Sequence, residues 1–428
     1  MTAECLPRAR SREESRHGTH ECVRHGARVW EMGDRPKGRA FMLSPETPYP
    51  LHGGGALRTA SLLNYLARHF EVDLAVFRYR PEQDPAGALP RGLVRNVQVI
   101  DLPRNRRDVA SRAARNAWRL AKGVPPLVDR FRGYAGELRL APHYDLAVIE
   151  HFWCAEYLEV LRPICDRIVL NLHNIESELH VTCASAETGP AAFAHRRFAA
   201  HSRRLEREWL PQFDSILAAS EADVRRVRLL HPGADVTVYP NAIPMTPMPE
   251  RAEENAIAFS GNFEYHPNRT AVQFFAREVW PALSRNNPGL KWRLIGMNPE
   301  AIRRDIHGLD RVETTGPVAD AIYELAAAKV VVAPLRSGSG TRLKIVEAWA
   351  AGRAVVATQL GAEGLMATHG KEIYLADNPS DLIQFIQSLL DSPDARRKMG
   401  EAGRCLFEHG FSWEAAWRIL DCSKFLRG

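Results

Sequence analysis

The segment Val330-Val-Val-Ala-Pro334-Leu-Arg-Ser-Gly338-Ser-Gly340-Thr341-Arg342-Leu-Lys344-Ile-Val-Glu347 has the residue types to hold an anion. A β-branched run leads into a Gly/Ser loop that opens a helix, so unpaired amides and the positive dipole end meet whatever sits there. Lys344 and Glu347, three apart, share one helix face, and Arg342 lies at the helix start beside the loop. The two cations and the amides suit a diphosphate, and a carboxylate one turn further on suits vicinal ribose hydroxyls. A surface salt bridge beside a glycine turn accounts for the same residues, so the block alone leaves both readings open.

Other residues carry weaker signals. Pro48-Tyr-Pro-Leu-His52-Gly53-Gly54-Gly55-Ala-Leu-Arg58 is a second glycine loop. It fits neither G-x-G-x-x-G nor G-x-x-x-x-G-K-S/T, which weighs against a nicotinamide or P-loop site. His151 ends the run Tyr144-Asp-Leu-Ala-Val-Ile-Glu150. A lone histidine at a strand end is more often structural, although ligands of open α/β sheets gather at such carboxyl ends. His17, His20, Cys22 and His25 cluster near the start, but no second Cys pair or folded frame supports a metal site there. The seven cysteines form no C-x-x-C pair, which points to reduced thiols and no structural disulfide.

The elements that must position these residues alternate. Residues 1–37, with eight Lys/Arg, six acids and little apolar periodicity, read as a disordered basic tail. From Ala40 a strand ending near Leu43, the glycine loop, a helix over Leu57 to Phe70 and a strand over Val72 to Phe77 make a βαβ unit. Strand-like runs follow at Val97 to Leu102, Leu146 to Ile149, Ile168 to Leu172, Ile216 to Ala219 and Val236 to Tyr239. Pro240, Pro244, Pro247 and Pro249 then interrupt both helix and strand, marking a linker. Alternation restarts: strands at Ile257 to Phe259, Trp292 to Ile295, Val330 to Ala333, Ala354 to Ala357 and Ile373 to Leu375, with helices from Asn268, over Ala319 to Ala328 and over Thr341 to Ala351. The expected fold class is α/β, two facing Rossmann-like domains with doubly wound parallel sheets and a cleft between them. The boundaries are 38–245 for the first domain and 246–411 for the second, followed by a helix in 412–428.

At 428 residues the chain is too long for one ordinary domain and comfortable for two. Apolar residues at 45% and charged residues at 25% exclude a wholly disordered or fibrous chain. No run of eighteen uncharged apolar residues or secretory h-region occurs, so the expected location is cytoplasmic. The 57 Lys/Arg against 51 Asp/Glu leave +6, which favours anionic ligands. Residues 104–139 alone carry ten Lys/Arg (Arg104, Arg106, Arg107, Arg112, Arg115, Arg119, Lys122, Arg130, Arg132, Arg139) against Asp108, Asp129 and Glu137, a local +7. With Val109, Trp118 and Leu120 interleaved, a helix here suits peripheral contact with an anionic membrane on the inner face of the cytoplasmic membrane, or a solvated face beside the cleft. No helix-turn-helix, zinc-finger or aromatic-basic signature accompanies the charge, so nucleic acid is set aside.

Taken together, these motifs resemble family 4 glycosyltransferases, the large retaining group with the GT-B fold (glycosyl transferases group 1). The donor-site block is joined by Phe259-Ser-Gly261-Asn262-Phe-Glu-Tyr265-His-Pro267-Asn268, Leu294-Ile-Gly296, Thr315-Gly316-Pro-Val-Ala-Asp320 and Gly361-Ala-Glu-Gly364, in the family's order over residues 38 to 425. The resemblance implies that Gly53, Gly54, Gly55, Gly261, Asn262, Gly338, Ser339, Gly340, Thr341 and Glu347 bind the donor. It implies His151 at the transferred sugar with Arg342 and Lys344 on the diphosphate, and His52, Arg58, His173 and Asn174 on the acceptor or sugar side. It further implies that 38–245 is the acceptor-side domain, that 246–411 is the nucleotide-sugar donor-binding domain, and that the C-terminal helix in 412–428 crosses back to pack on the first. Two departures stand out. Many members carry two glutamates eight apart, whereas Ser339 stands eight before Glu347, and the loop Gly261-Asn262-Phe263-Glu264 lacks the cation often found there. No Asp-x-Asp occurs, so the expectation is no metal and no cofactor beyond the nucleotide-sugar co-substrate, with fixed cations in the role of a divalent ion.

The resulting expectation is a hexosyltransferase-type enzyme moving a sugar from a nucleotide diphosphate sugar to the hydroxyl of a saccharide or lipid-linked saccharide, in cell-surface polysaccharide or glycolipid synthesis. Closure about the 240–255 linker would exclude water. A nucleotide-sugar epimerase of the same fold, and a catalytically silent protein binding an anionic ligand or a membrane, are the alternatives.

Overall fold

The computed structural model describes residues 38–426 except His52, 104–107 and 338–341. The expected basic tail, His52 and the loop residues Gly338, Ser339, Gly340 and Thr341 therefore lie outside the described residues. The first sheet contains β1 (Gly38–Ser44), β2 (Phe70–Arg78), β3 (Asn96–Asp101), β4 (Tyr144–Glu150), β5 (Cys165–Asn171), β6 (Ser215–Ala218) and β7 (Val236–Val238). Its order is β3-β2-β1-β4-β5-β6-β7, and every pairing is parallel. The second sheet contains β8 (Ala256–Ser260), β9 (Lys291–Ile295), β10 (Val312–Thr314), β11 (Val330–Ala333), β12 (Ala354–Ala357) and β13 (Tyr374–Leu375), ordered β10-β9-β8-β11-β12-β13, again all parallel.

The central strands are near-continuous apolar runs because helices cover both faces. All of β8, β11 and β12 is buried, and β1 is buried from Ala40 to Ser44. Each sheet reverses its winding once, between β1 and β4 and between β8 and β11, and a crevice opens at such a switch point beyond the carboxyl ends of the strands. The loops after β1, β4, β8 and β11 carry the glycine loop, His151, Gly261 and Arg342 respectively. Topology thus brings four chemistry-bearing segments to two facing crevices.

Several elements differ from the sequence expectation. The edge strand β10 was not expected, because three residues including a charged Glu313 give no apolar run. The helix expected over Ala319 to Ala328 is only Ala321–Leu325, started by the Asp320 carboxylate, which accepts from the Ile322 and Tyr323 amides at 2.8 and 3.0 Å. The helix expected over Thr341 to Ala351 is described as Leu343–Ala350.

The proline-rich segment is pinned by the C-terminal chain. The Ile243 amide donates to the Phe411 carbonyl and the Trp413 amide to the Ile243 carbonyl, both at 3.0 Å. The helix Trp413–Cys422 then docks on the helix Gly54–His69: Trp417 Nε1 donates to the Ser61 carbonyl at 3.0 Å and the Tyr65 hydroxyl to Asp421 at 2.8 Å. One buried apolar cluster runs from Ala40, Leu62 and Leu66 through Trp413 and Trp417 to Val331, Ile345 and Trp349, joining the inner faces of both sheets.

Candidate active site

On the first sheet's side, the helix Gly54–His69 begins at Gly53, whose φ of 89° is a left-handed conformation open to glycine. No side chain caps it, so its first amides remain available to a ligand. Beneath it lies a buried polar cluster. The Glu150 carboxylate, at the end of β4, accepts from Asn171 Nδ2 at 2.8 Å and Thr59 Oγ1 at 3.1 Å, and meets His173 Nε2 at 2.6 Å. Burial raises the Glu150 pKa against the pull of these partners.

His151 follows with φ 62°, a strained conformation for a non-glycine residue. Its ring is sandwiched between His173 (centroids 3.6 Å apart) and Trp153 (4.1 Å). The residue is 4% exposed, yet neither ring nitrogen has a hydrogen-bond partner. Burial and the neighbouring His173 hold its pKa well below the usual imidazole value, so the ring is neutral with an unused acceptor nitrogen. Unpaired buried polar atoms are costly, so both ring nitrogens carry unmet hydrogen-bonding capacity.

Two residues assigned to the acceptor or sugar side take inward roles. Arg58, 1% exposed, donates from Nε and Nη2 to Asn171 Oδ1 at 3.0 and 2.6 Å and from Nη1 to Asn241 Oδ1 at 3.0 Å and the Tyr239 carbonyl. This corrects the expectation of a ligand contact: its guanidinium is consumed in cross-linking β5, the first helix and the chain after β7. His173 is buried on Glu150 and stacks on His151, so it positions that ring. Asn174 is half-buried at the same strand end.

On the second sheet's side, Arg342 precedes the helix Leu343–Ala350 and donates from Nε to the Leu360 carbonyl at 3.2 Å. Lys344 Nζ reaches Asn268 Oδ1 at 2.8 Å and lies 5.1 Å from the Phe259 ring centroid. Burial lowers its pKa to about 8, with Glu347 pulling it up and Arg342 pushing it down. Burial raises Glu347 to about 7, opposed by Lys344, and Ser260 Oγ donates to it at 3.5 Å. Asn268 also donates to the Asn262 carbonyl at 2.8 Å, tying the Lys344 ammonium to the loop after β8. Asn262 Oδ1 accepts from Asn298 Nδ2 at 2.8 Å and from the Glu264 amide at 3.0 Å, so this side chain shapes its loop. Gly261 faces Gly296 so closely that a Cβ on Gly296 (φ 137°) would sit 2.0 Å from the Gly261 carbonyl oxygen.

The two sides meet. A Cβ at Gly54 would lie 3.3 Å from Leu343 Cδ1, and Arg226 approaches Glu363 at 3.6 Å across the cleft. The first glycine loop therefore faces the start of the helix that carries Lys344 and Glu347. Unassigned from sequence were Thr59, Glu150, Asn171, Tyr239 and Asn241, which hold His173 and Arg58, and Asn268 and Ser260, which hold Lys344 and Glu347. A charged residue ending the apolar run of β4 was the one available signal, at Glu150.

Residues 254–392 match the family described as glycosyl transferases group 1. A Klebsiella pneumoniae protein described as an uncharacterized 44.6 kDa protein in the cps region is 21% identical over 356 residues, 79% of this chain and 88% of that one. Similar solved structures include sucrose-phosphate synthase from Thermosynechococcus elongatus (18% identity, TM-score 0.65, 90% of this chain and 98% of that one) and TarM (13%, 0.66, 91% and 98%). HepE from Anabaena, solved with UDP and glucose, aligns at 14% identity and TM-score 0.60 over 90% of this chain and 98% of that one. Residues 254–392 thus resemble glycosyl transferases group 1, and with the sheet topology described above the similar structures define the fold of the whole chain as GT-B.

Proposed function

We propose that this glycosyltransferase is a retaining, metal-independent member of family 4 that takes a sugar from a nucleotide diphosphate sugar and places it on a saccharide hydroxyl in cell-surface polysaccharide synthesis. The observation that carries the reading is the meeting of Gly54 with Leu343, which brings the uncapped start of the first helix against the helix that follows Arg342 and carries Lys344 and Glu347. The HepE structures with UDP and UDP-glucose support such a donor, and the cps-region relative supports a polysaccharide setting.

Breaking the sugar-phosphate bond leaves the electron pair on a diphosphate oxygen, and two cations already fixed beside the cleft stabilise that charge without reorganising. Glu347, ionised, accepts from the ribose hydroxyls. The neutral His151 accepts from a sugar hydroxyl, and the cleft excludes water that would hydrolyse the donor. Arg342 and Lys344 supply the positive charge in this reading. The described group His143, Asp145 and Asp166 that could hold a metal lies at the opposite end of β4 from His151.

The helix Val109–Lys122 favours a lipid-linked acceptor. It turns Ala110, Ala113, Ala114, Ala117, Trp118 (51% exposed) and Ala121 to solvent, while Arg119 points inward to Asp129 at 2.7 Å. An outward apolar stripe with an interfacial tryptophan and basic neighbours suits an anionic membrane surface.

The test is nucleoside diphosphate release from UDP-, GDP-, ADP- and TDP-hexoses in EDTA, with and without saccharide acceptors. Transfer predicts release from one donor class, stimulated at least about tenfold by an acceptor, with retained anomeric configuration by NMR. Conversion of a donor to its epimer without net nucleotide release would favour the epimerase reading, and neither release nor epimerisation with any donor would favour a silent binding protein.

A further inference from the structure

Most carboxylates described around the cleft are engaged. Glu150 is held by Thr59, Asn171 and His173, Glu347 lies beside Ser260 and Lys344, and Glu363 meets Arg226. Glu46 is different. It stands two residues beyond β1, and its backbone is fixed by Ser44, whose hydroxyl donates to the Glu46 carbonyl at 2.6 Å and accepts from the Glu46 amide at 3.2 Å. That turn lays the side chain against the first glycine loop: a Cβ at Gly55 would come within 2.3 Å of Glu46 Oε2. Gly54, next in the chain, is the residue that faces Leu343 across the cleft.

Among the described residues, no hydrogen bond or ion pair reaches the Glu46 carboxylate. Burial, reinforced by the negative field of Glu150, raises its pKa. A half-buried carboxylate without donors is destabilising in the empty protein, and a polyol that supplies two adjacent O–H groups removes that cost. Charge-assisted O–H···O⁻ bonds are also the stronger kind and sensitive to the placement of each hydroxyl.

We propose that Glu46 is a sugar-specificity residue whose carboxylate accepts hydrogen bonds from hydroxyls of the donor's sugar unit. The inference rests on the donor-site reading above and adds to it the group that reads the sugar. The donor's sugar rather than the acceptor is assigned because Glu46 lies beside the glycine loop that touches the donor-side helix. The nucleotide is held elsewhere, by Arg342, Lys344 and Glu347, so sugar and nucleotide contributions are separable.

The experiment is calorimetric titration of the wild type, Glu46→Gln and Glu46→Ala with UDP, GDP, ADP and TDP, each alone and as its glucose, galactose and mannose conjugates. Melting temperatures check that the variants fold. The expected result is that both variants bind the bare nucleotide within about twofold of wild type but lose about tenfold or more for the hexose conjugate. Discrimination among the three hexoses narrows in parallel. Equal losses for nucleotide and conjugate, or no loss for either, would overturn the assignment. If the wild type binds no nucleotide at all, the donor-site reading itself fails and this inference falls with it, an outcome visible before any variant is compared.

Discussion

His151 combines three features rarely found together: a left-handed backbone, two aromatic neighbours stacked on its ring, and two buried nitrogens without partners. A strained, unsatisfied residue persists only where its surroundings over-determine it, and here Glu150 does so by fixing His173 against the ring. On the second sheet's side, Lys344 and Glu347 tune each other. Lys344 keeps its charge below about pH 8 and loses it above; Glu347 is ionised above about pH 7 and protonated below. Nucleotide affinity should therefore peak between these values and fall by roughly three- to tenfold one pH unit beyond either limb. Titration of nucleotide binding against pH checks this: Lys344→Met should remove the alkaline limb and Glu347→Gln the acid limb, and an unchanged profile in both would refute the pairing. His151, Arg342, Lys344 and Glu347 could be singled out in the sequence because each stands at a strand end or in the first turns after a Gly/Ser loop. Arg58 was misread and Glu46 passed over, since neither burial depth nor the path of a turn is written in residue spacing.

At the scale of elements, the loops after β8 and β9 are fitted to each other through glycine. Gly296 needs both its positive φ and its missing side chain, because the Gly261 carbonyl occupies the space a methyl would take. Gly296→Ala should destabilise the protein by about 3 kcal/mol and weaken nucleotide binding, read as a lower urea midpoint with an unchanged slope. A change below about 0.5 kcal/mol would mean the loops separate freely. The parallel strands were legible because buried strands are β-branched runs bounded by polar loops, as Val330–Ala333 and Ala354–Ala357 show. The edge strand Val312–Thr314 was not, being short and half polar, and the overlong helix at Ala319 reflects apolar residues that continue as turns beyond Leu325.

At the scale of the molecule, the chain crosses between its two sheets twice, through the proline-rich segment after Tyr239 and back through Ser412, and the two crossings are hydrogen-bonded at Ile243. The helix Trp413–Cys422 closes the circuit on the first helix, whose other end carries Gly53 and Gly54. Both walls of the cleft thus rest on one continuous core. The most direct test of the central claim, that the cleft is a nucleotide-sugar donor site, is thermal-shift binding of UDP, GDP, ADP and TDP to the wild type and Glu347→Ala in EDTA. We predict that one nucleotide raises the wild-type melting temperature by about 2–4 °C and that Glu347→Ala abolishes the shift. No shift with any nucleotide, or an equal shift in the variant, would contradict it.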